Sequence, residues 1–72
     1  MTMAIKGKRV LFKTLDEKIT FGRYNDKTIE DVLKTDKWYI VWMHNNTNHK
    51  LGKRLLKIII ELYPDLEKEL KN

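Results

Sequence analysis

Apolar and polar positions alternate along the first third of the chain. Val10 and Phe12 alternate with Leu11 and Lys13, and Ile19 and Phe21 flank Thr20, the period-two spacing of half-buried strands. Thr14-Leu15-Asp16-Glu17-Lys18 separates the two runs, and Gly22 with Asn25-Asp26 supplies turn chemistry after the second. The pattern predicts a β-hairpin over residues 8–24. The period then lengthens. Ile29, Val32 and Leu33 share one face of a short helix at about 28–34, which Thr28 caps with Glu30 and Asp31 at its positive end. Thr35 or Asp36 opens a second helix at about 36–44, carrying Trp38, Tyr39, Trp42 and Met43. Asn45-Asn46-Thr47-Asn48 ends it, because Asn and Thr side chains compete for backbone groups. A third helix is expected over 49–63, and Pro64 suits the first turn of a short last helix over 64–71. The fold class that follows is α+β: one small domain, 1–72, with an N-terminal β-hairpin packed against three to four short α-helices. Its expected core is Phe12, Phe21, Ile29, Val32, Tyr39, Trp42, Leu55, Ile58 and Leu62.

The stretch 49–63 divides into three arcs at 100° per residue. Leu51, Leu55, Ile58, Ile59 and Leu62 form one apolar sector, and Leu56, Ile60 and Tyr63 form a second beside it. Lys50, Lys53, Arg54 and Lys57 occupy the remaining arc, with Glu61 at its edge. The first sector suffices for core contact. The second needs a cover: the last helix through Leu66 and Leu70, a second copy of the chain, or another protein.

Composition narrows the function. The 72 residues carry 15 Lys+Arg against 10 Asp+Glu, a net charge of +5. Residues 1–28 hold +4, 29–48 hold −1, 49–60 hold +4 and 61–72 hold −2. Two basic blocks of this kind favour polyanions, which puts nucleic acid first among partners and an acidic protein surface second. Zero cysteines exclude disulfides and thiolate zinc sites and suit a cytoplasmic setting. No apolar run approaches the roughly 20 residues of a membrane span, and residues 1–15 lack a signal-peptide core. No membrane association is expected.

Phe21-Gly22-Arg23-Tyr24-Asn25-Asp26-Lys27-Thr28-Ile29-Glu30-Asp31-Val32 resembles the F-G-K-Y-x-G-K-T-I-E-E-V signature of a small module at the C-terminus of exodeoxyribonuclease X-like proteins. Related strings occur in short proteins labelled quorum-sensing-regulated virulence factors. The signature continues there as D-P-x-Y-L-x-W, and Asp36, Tyr39, Ile40 and Trp42 fall on the matching positions. The resemblance spans residues 19–44. Asp26 stands where the family usually has glycine, and Lys37 where it has proline. The resemblance implies a hairpin-plus-helices appendage that accompanies DNA-processing enzymes. It supplies no catalytic residue, since the exonuclease activity belongs to a separate domain.

The candidate nucleic-acid contacts are Lys50, Lys53, Arg54 and Lys57, whose spacing suits phosphates and which no acid within 49–60 balances. Arg23, Lys27 and Tyr24 at the turn, and Trp38 on the second helix, are further candidates, the aromatic groups by stacking on bases. Four phosphate contacts imply a log–log salt slope of roughly −3 to −4 and little sequence preference. The plain alternatives are a solvated helix face for the lysines and core positions for Tyr24, Tyr39 and Trp42. A helix-turn-helix reading of 36–63 would bring His49, Lys50 and Lys53 to base edges. His44 and His49 lack the further ligands a zinc site needs. No nucleophile with an adjacent base and no glycine-rich phosphate loop is present, so no enzyme, catalytic residue, metal or cofactor is expected. The rival reading is a protein-binding modulator that docks on a nuclease, polymerase or other host enzyme through Leu56, Ile60 and Tyr63; a phage or mobile-element origin would suit it, with action in the host cytoplasm if phage-encoded.

Overall fold

The structure is a computed structural model that describes residues 10–70. The longest element, α1 (Ile29–Asn46), begins where the sequence predicts. The Thr28 hydroxyl accepts the Asp31 N–H at 3.1 Å. The preceding loop completes that start: the Ile29 N–H donates to the Glu17 carbonyl and the Glu30 N–H to the Leu15 carbonyl, both at 3.0 Å. The open donors of Ile29, Glu30 and Asp31 are thereby satisfied, and the intrahelical ladder begins with the Val32 N–H bonded to the Thr28 carbonyl. Inside α1, Asp36 is non-helical (φ −156°, ψ 75°), so the two helices expected at 28–34 and 36–44 are halves of one interrupted helix. At the far end the Thr47 hydroxyl and N–H both bond the Met43 carbonyl, and the same hydroxyl accepts the His49 N–H at 3.0 Å. The chain leaves the helix extended.

The expected hairpin is not the sheet that forms. β1 (Val10–Phe12) pairs in parallel with β2 (His49–Leu51), in the register Val10 to His49, Leu11 to Lys50 and Phe12 to Leu51. Residues 8 and 9 of the expected hairpin lie outside the described residues. The apolar run at Ile19–Phe21 belongs to a loop, with Ile19 fully buried and Phe21 packed partly buried on the core. Backbone bonds from Ile19 to Lys27 and from Asp26 to Ile19 fold that loop on itself.

The helix expected from residue 49 begins instead with α2 (Lys53–Leu62). Thr47 and Asn48 have already broken the helical ladder, and Gly52, a poor helix former, caps α2 with φ −67° and ψ 160°. Its N–H donates to the Phe12 carbonyl at 2.8 Å, and a Cβ there would sit 3.3 Å from that oxygen. Only residues 49–51 remain to extend alongside β1. The last helix expected over 64–71 is a single 3-10 turn, Pro64–Leu66, followed by turns. The described residues thus hold a two-stranded parallel sheet, two α-helices and two 3-10 turns (the other is Gly22–Tyr24), in place of a hairpin with three to four helices.

The core gathers Phe12, Ile19, Ile29, Val32, Ile40, Met43, Leu51, Leu55, Leu56, Ile59, Leu66 and Leu70. α2 is rotated by about 70° from the expected orientation, taking 100° per residue. Leu55, Leu56 and Ile59 face inward and Ile58 and Leu62 face solvent, because Leu66 and Leu70 close over the second apolar sector. Trp42, expected in the core, is 48% exposed. No described helix is long and apolar enough to cross a membrane.

Candidate functional site

The residues singled out from the sequence fall into two clusters. The first lies on α2, where Lys53, Arg54 and Lys57 are exposed within about one turn and therefore neighbours on its surface. Among the described residues none of the three forms an ion pair. Lys18, Lys34 and Lys37, by contrast, pair with Asp26, Glu30 and Asp65. The start of α2 sharpens this difference. It has no acid in its first turn and no capping side chain, so Lys53 and Arg54 add to the positive end of the helix dipole instead of offsetting it.

Lys50 does not join them. It lies on β2, and its ammonium donates to the His44 carbonyl at 2.7 Å. The helix-turn-helix arrangement fails for the same reason, since His49 and Lys50 belong to a strand. Leu56 is buried, and Ile60 and Tyr63 pack partly buried against the core, so the exposed large apolar side chains of α2 are Ile58 and Leu62.

The second cluster is aromatic and forms around the loop before α1. The Arg23 guanidinium lies 6.0 Å over the Tyr24 ring. Tyr24 meets the Tyr39 ring edge-on at 4.8 Å, and Tyr39 lies 5.5 Å from Trp42. The Tyr24 hydroxyl donates to Asp36 at 3.0 Å, which ties the loop to the interruption in α1. Gly22 takes φ +70°, and a Cβ there would lie 2.7 Å from the Tyr39 hydroxyl, so the close approach of loop and helix requires glycine. Lys27 is exposed beside this loop and, like Arg23, forms no ion pair among the described residues. Trp38 stands one turn before Trp42 on the same face and is 50% exposed.

Trp42 is the residue that sequence reasoning assigned elsewhere. The signal was present: side chains four apart on a helix share a face, so exposure of Trp38 carries Trp42 with it. Among the described residues no hydrogen bond, ion pair or ring contact connects the aromatic cluster to the α2 cations.

Both histidines serve packing. His44 is buried, and its Nδ1 accepts the Leu51 N–H at 3.0 Å. The His49 ring stacks 4.2 Å from Phe21 and 6.2 Å from Phe12, with its Nδ1 buried and unpartnered. No group of three or more metal-ligating side chains occurs among the described residues.

No curated protein and no solved structure matches the chain. Residues 19–48, which hold the Gly22 turn, Arg23, Tyr24, Lys27 and both tryptophans, match the family model described as Exodeoxyribonuclease X-like C-terminal.

Proposed function

We propose that this chain is a small non-enzymatic accessory module that binds nucleic acid through the phosphate backbone. The observation that carries the reading is the exposed trio Lys53, Arg54 and Lys57, which lies at a helix start with no capping side chain and forms no ion pair among the described residues. Cations left without carboxylates release counterions when they meet a polyphosphate, and that release drives binding without regard to sequence. The match to a module named for an exodeoxyribonuclease supports DNA as the polymer. Lys50 contributes less than the spacing implies, because its ammonium is already hydrogen-bonded. No reaction is assigned, for the described carboxylates with visible roles lie in the first turn of α1, shape the Lys13–Glu17 loop, accept the Tyr24 hydroxyl or pair with lysines.

The test is charge reversal of Lys53, Arg54 and Lys57 together, followed by binding to a labelled DNA duplex. Three contacts give a log–log salt slope of about −2.7, so the unaltered protein loses roughly fortyfold in affinity between 50 and 200 mM salt. The reversed variant should lose most of its affinity and that dependence, with its fold unchanged by circular dichroism. Salt-independent binding, or full binding by the variant, overturns the reading.

One observation favours the protein-binding alternative. Ile58 and Leu62 are 38% and 58% exposed on the same helix as the cations, a mixed apolar and basic face that suits an acidic protein surface. A partner retained through nuclease treatment and high salt would favour docking on a nuclease, polymerase or other enzyme.

A further inference from the structure

Trp38 and Trp42 are the chain's two tryptophans, and both stay about half exposed on the outer face of α1. The inner face of that helix is already filled by Ile40, Val41, Met43 and His44, so the indoles are surplus to core packing. They stand one turn apart, about 6 Å along the axis, and Tyr39 and Tyr24 extend the aromatic surface from Trp42 toward the loop. At that end lie Arg23 and Lys27, two cations without ion pairs among the described residues. The first-turn N–H groups of α1 are all engaged, which leaves these side chains as the nearby donors for an anion.

We infer that this face holds a single-stranded nucleic acid, its bases stacked on Trp38 and Trp42 and its phosphates met by Arg23 and Lys27. The inference rests on the nucleic-acid reading above and adds the form of the polymer. A duplex keeps the faces of its bases inside the stack, where exposed indoles cannot reach them. A single strand offers those faces to any aromatic platform, and every base has one. An acidic peptide would satisfy the two cations but presents no flat ring at regular intervals for the indoles.

Because no other tryptophan exists, tryptophan fluorescence, excited at wavelengths that tyrosine does not absorb, reports on this face alone. Titration with oligothymidylate should quench it, whereas a duplex of equal length should bind with little quenching. Trp38→Ala and Trp42→Ala should each weaken binding of a fluorescein-labelled single strand by about tenfold, as loss of one stacked base does. Duplex affinity and far-ultraviolet circular dichroism should be unchanged in both. Single-strand affinity equal to that of the unaltered protein in both variants overturns the inference, and so does equal quenching by duplex. In either case the α2 reading stands if charge reversal at Lys53, Arg54 and Lys57 still abolishes duplex binding. Absence of binding to either polymer at low salt overturns both.

Discussion

The imidazole Nδ1 of His44 accepts the backbone N–H of Leu51 at 3.0 Å, so a side chain of α1 completes the backbone bonding of β2. The same residue's carbonyl receives the Lys50 ammonium, and His44 therefore fastens the strand from two directions. His44→Phe fills much of the same space but has no acceptor. It leaves the Leu51 N–H buried without that partner and should lower stability by about 1–3 kcal/mol in urea unfolding.

Gly22 and Tyr39 limit each other in the same manner. Gly22→Ala adds a Cβ 2.7 Å from the Tyr39 hydroxyl at a position with φ +70°. The expected cost is about 1–3 kcal/mol, read as a lower unfolding midpoint. Tyr39→Phe removes the clashing oxygen, so the double variant should recover part of the loss and keep only the backbone strain. A double variant no more stable than Gly22→Ala would show that the clash contributes nothing.

Asp26 keeps φ at 74° although it stands where the resembled signature has glycine. The left-handed conformation costs an ordinary residue about 1–2 kcal/mol, and glycine gives back roughly half of that gain as unfolded-state entropy. The Lys18–Asp26 pair spans 3.6 Å between well-exposed side chains, and its loss matters little. Asp26→Gly should therefore raise stability by about 0.5 kcal/mol, visible as a small increase in Tm, whereas Asp26→Val should lower it.

Lys37 holds the Asp65 carboxyl below its ordinary value of 3.8, chiefly by donating a hydrogen bond, with burial acting in the opposite sense. A depressed carboxylate contributes stability that is present above its unfolded value and fades as pH falls through the folded one. Lys37→Met should return the Asp65 titration toward 3.8, followed by carboxyl NMR, and flatten the acid limb of stability below about pH 4. The two proteins should show the same pH dependence near neutrality.

Local chemistry was legible in the sequence, and long-range packing was not. Thr28 capping α1, Thr47 stopping it and Pro64 opening a short turn all follow from groups within a few residues of each other. The break near Asp36 was legible too, although it interrupts a helix instead of separating two. The parallel sheet was hidden because its strands are far apart in sequence, and period-two spacing cannot name a partner. The orientation of α2 depends on Leu66 and Leu70, which lie beyond the helix itself. Of the proposed contacts, Lys53, Arg54 and Lys57 read directly from helical spacing. Lys50 lies on a strand and not on the expected helix, because three extended residues before Gly52 look helical by periodicity alone.

β1 and β2 lie on either side of the stretch that matches the nuclease-associated module. Their pairing works as a clasp: it draws together the two ends of the matched segment and returns the chain toward its own beginning before α2 starts. Whatever residues 19–48 share with that module is therefore presented here on a closed ring of chain, while α2, whose Leu55, Leu56 and Ile59 complete the core, carries its cations outside that ring. Excising the ring without its fastening strands would leave Phe12 and Leu51, both core residues, behind.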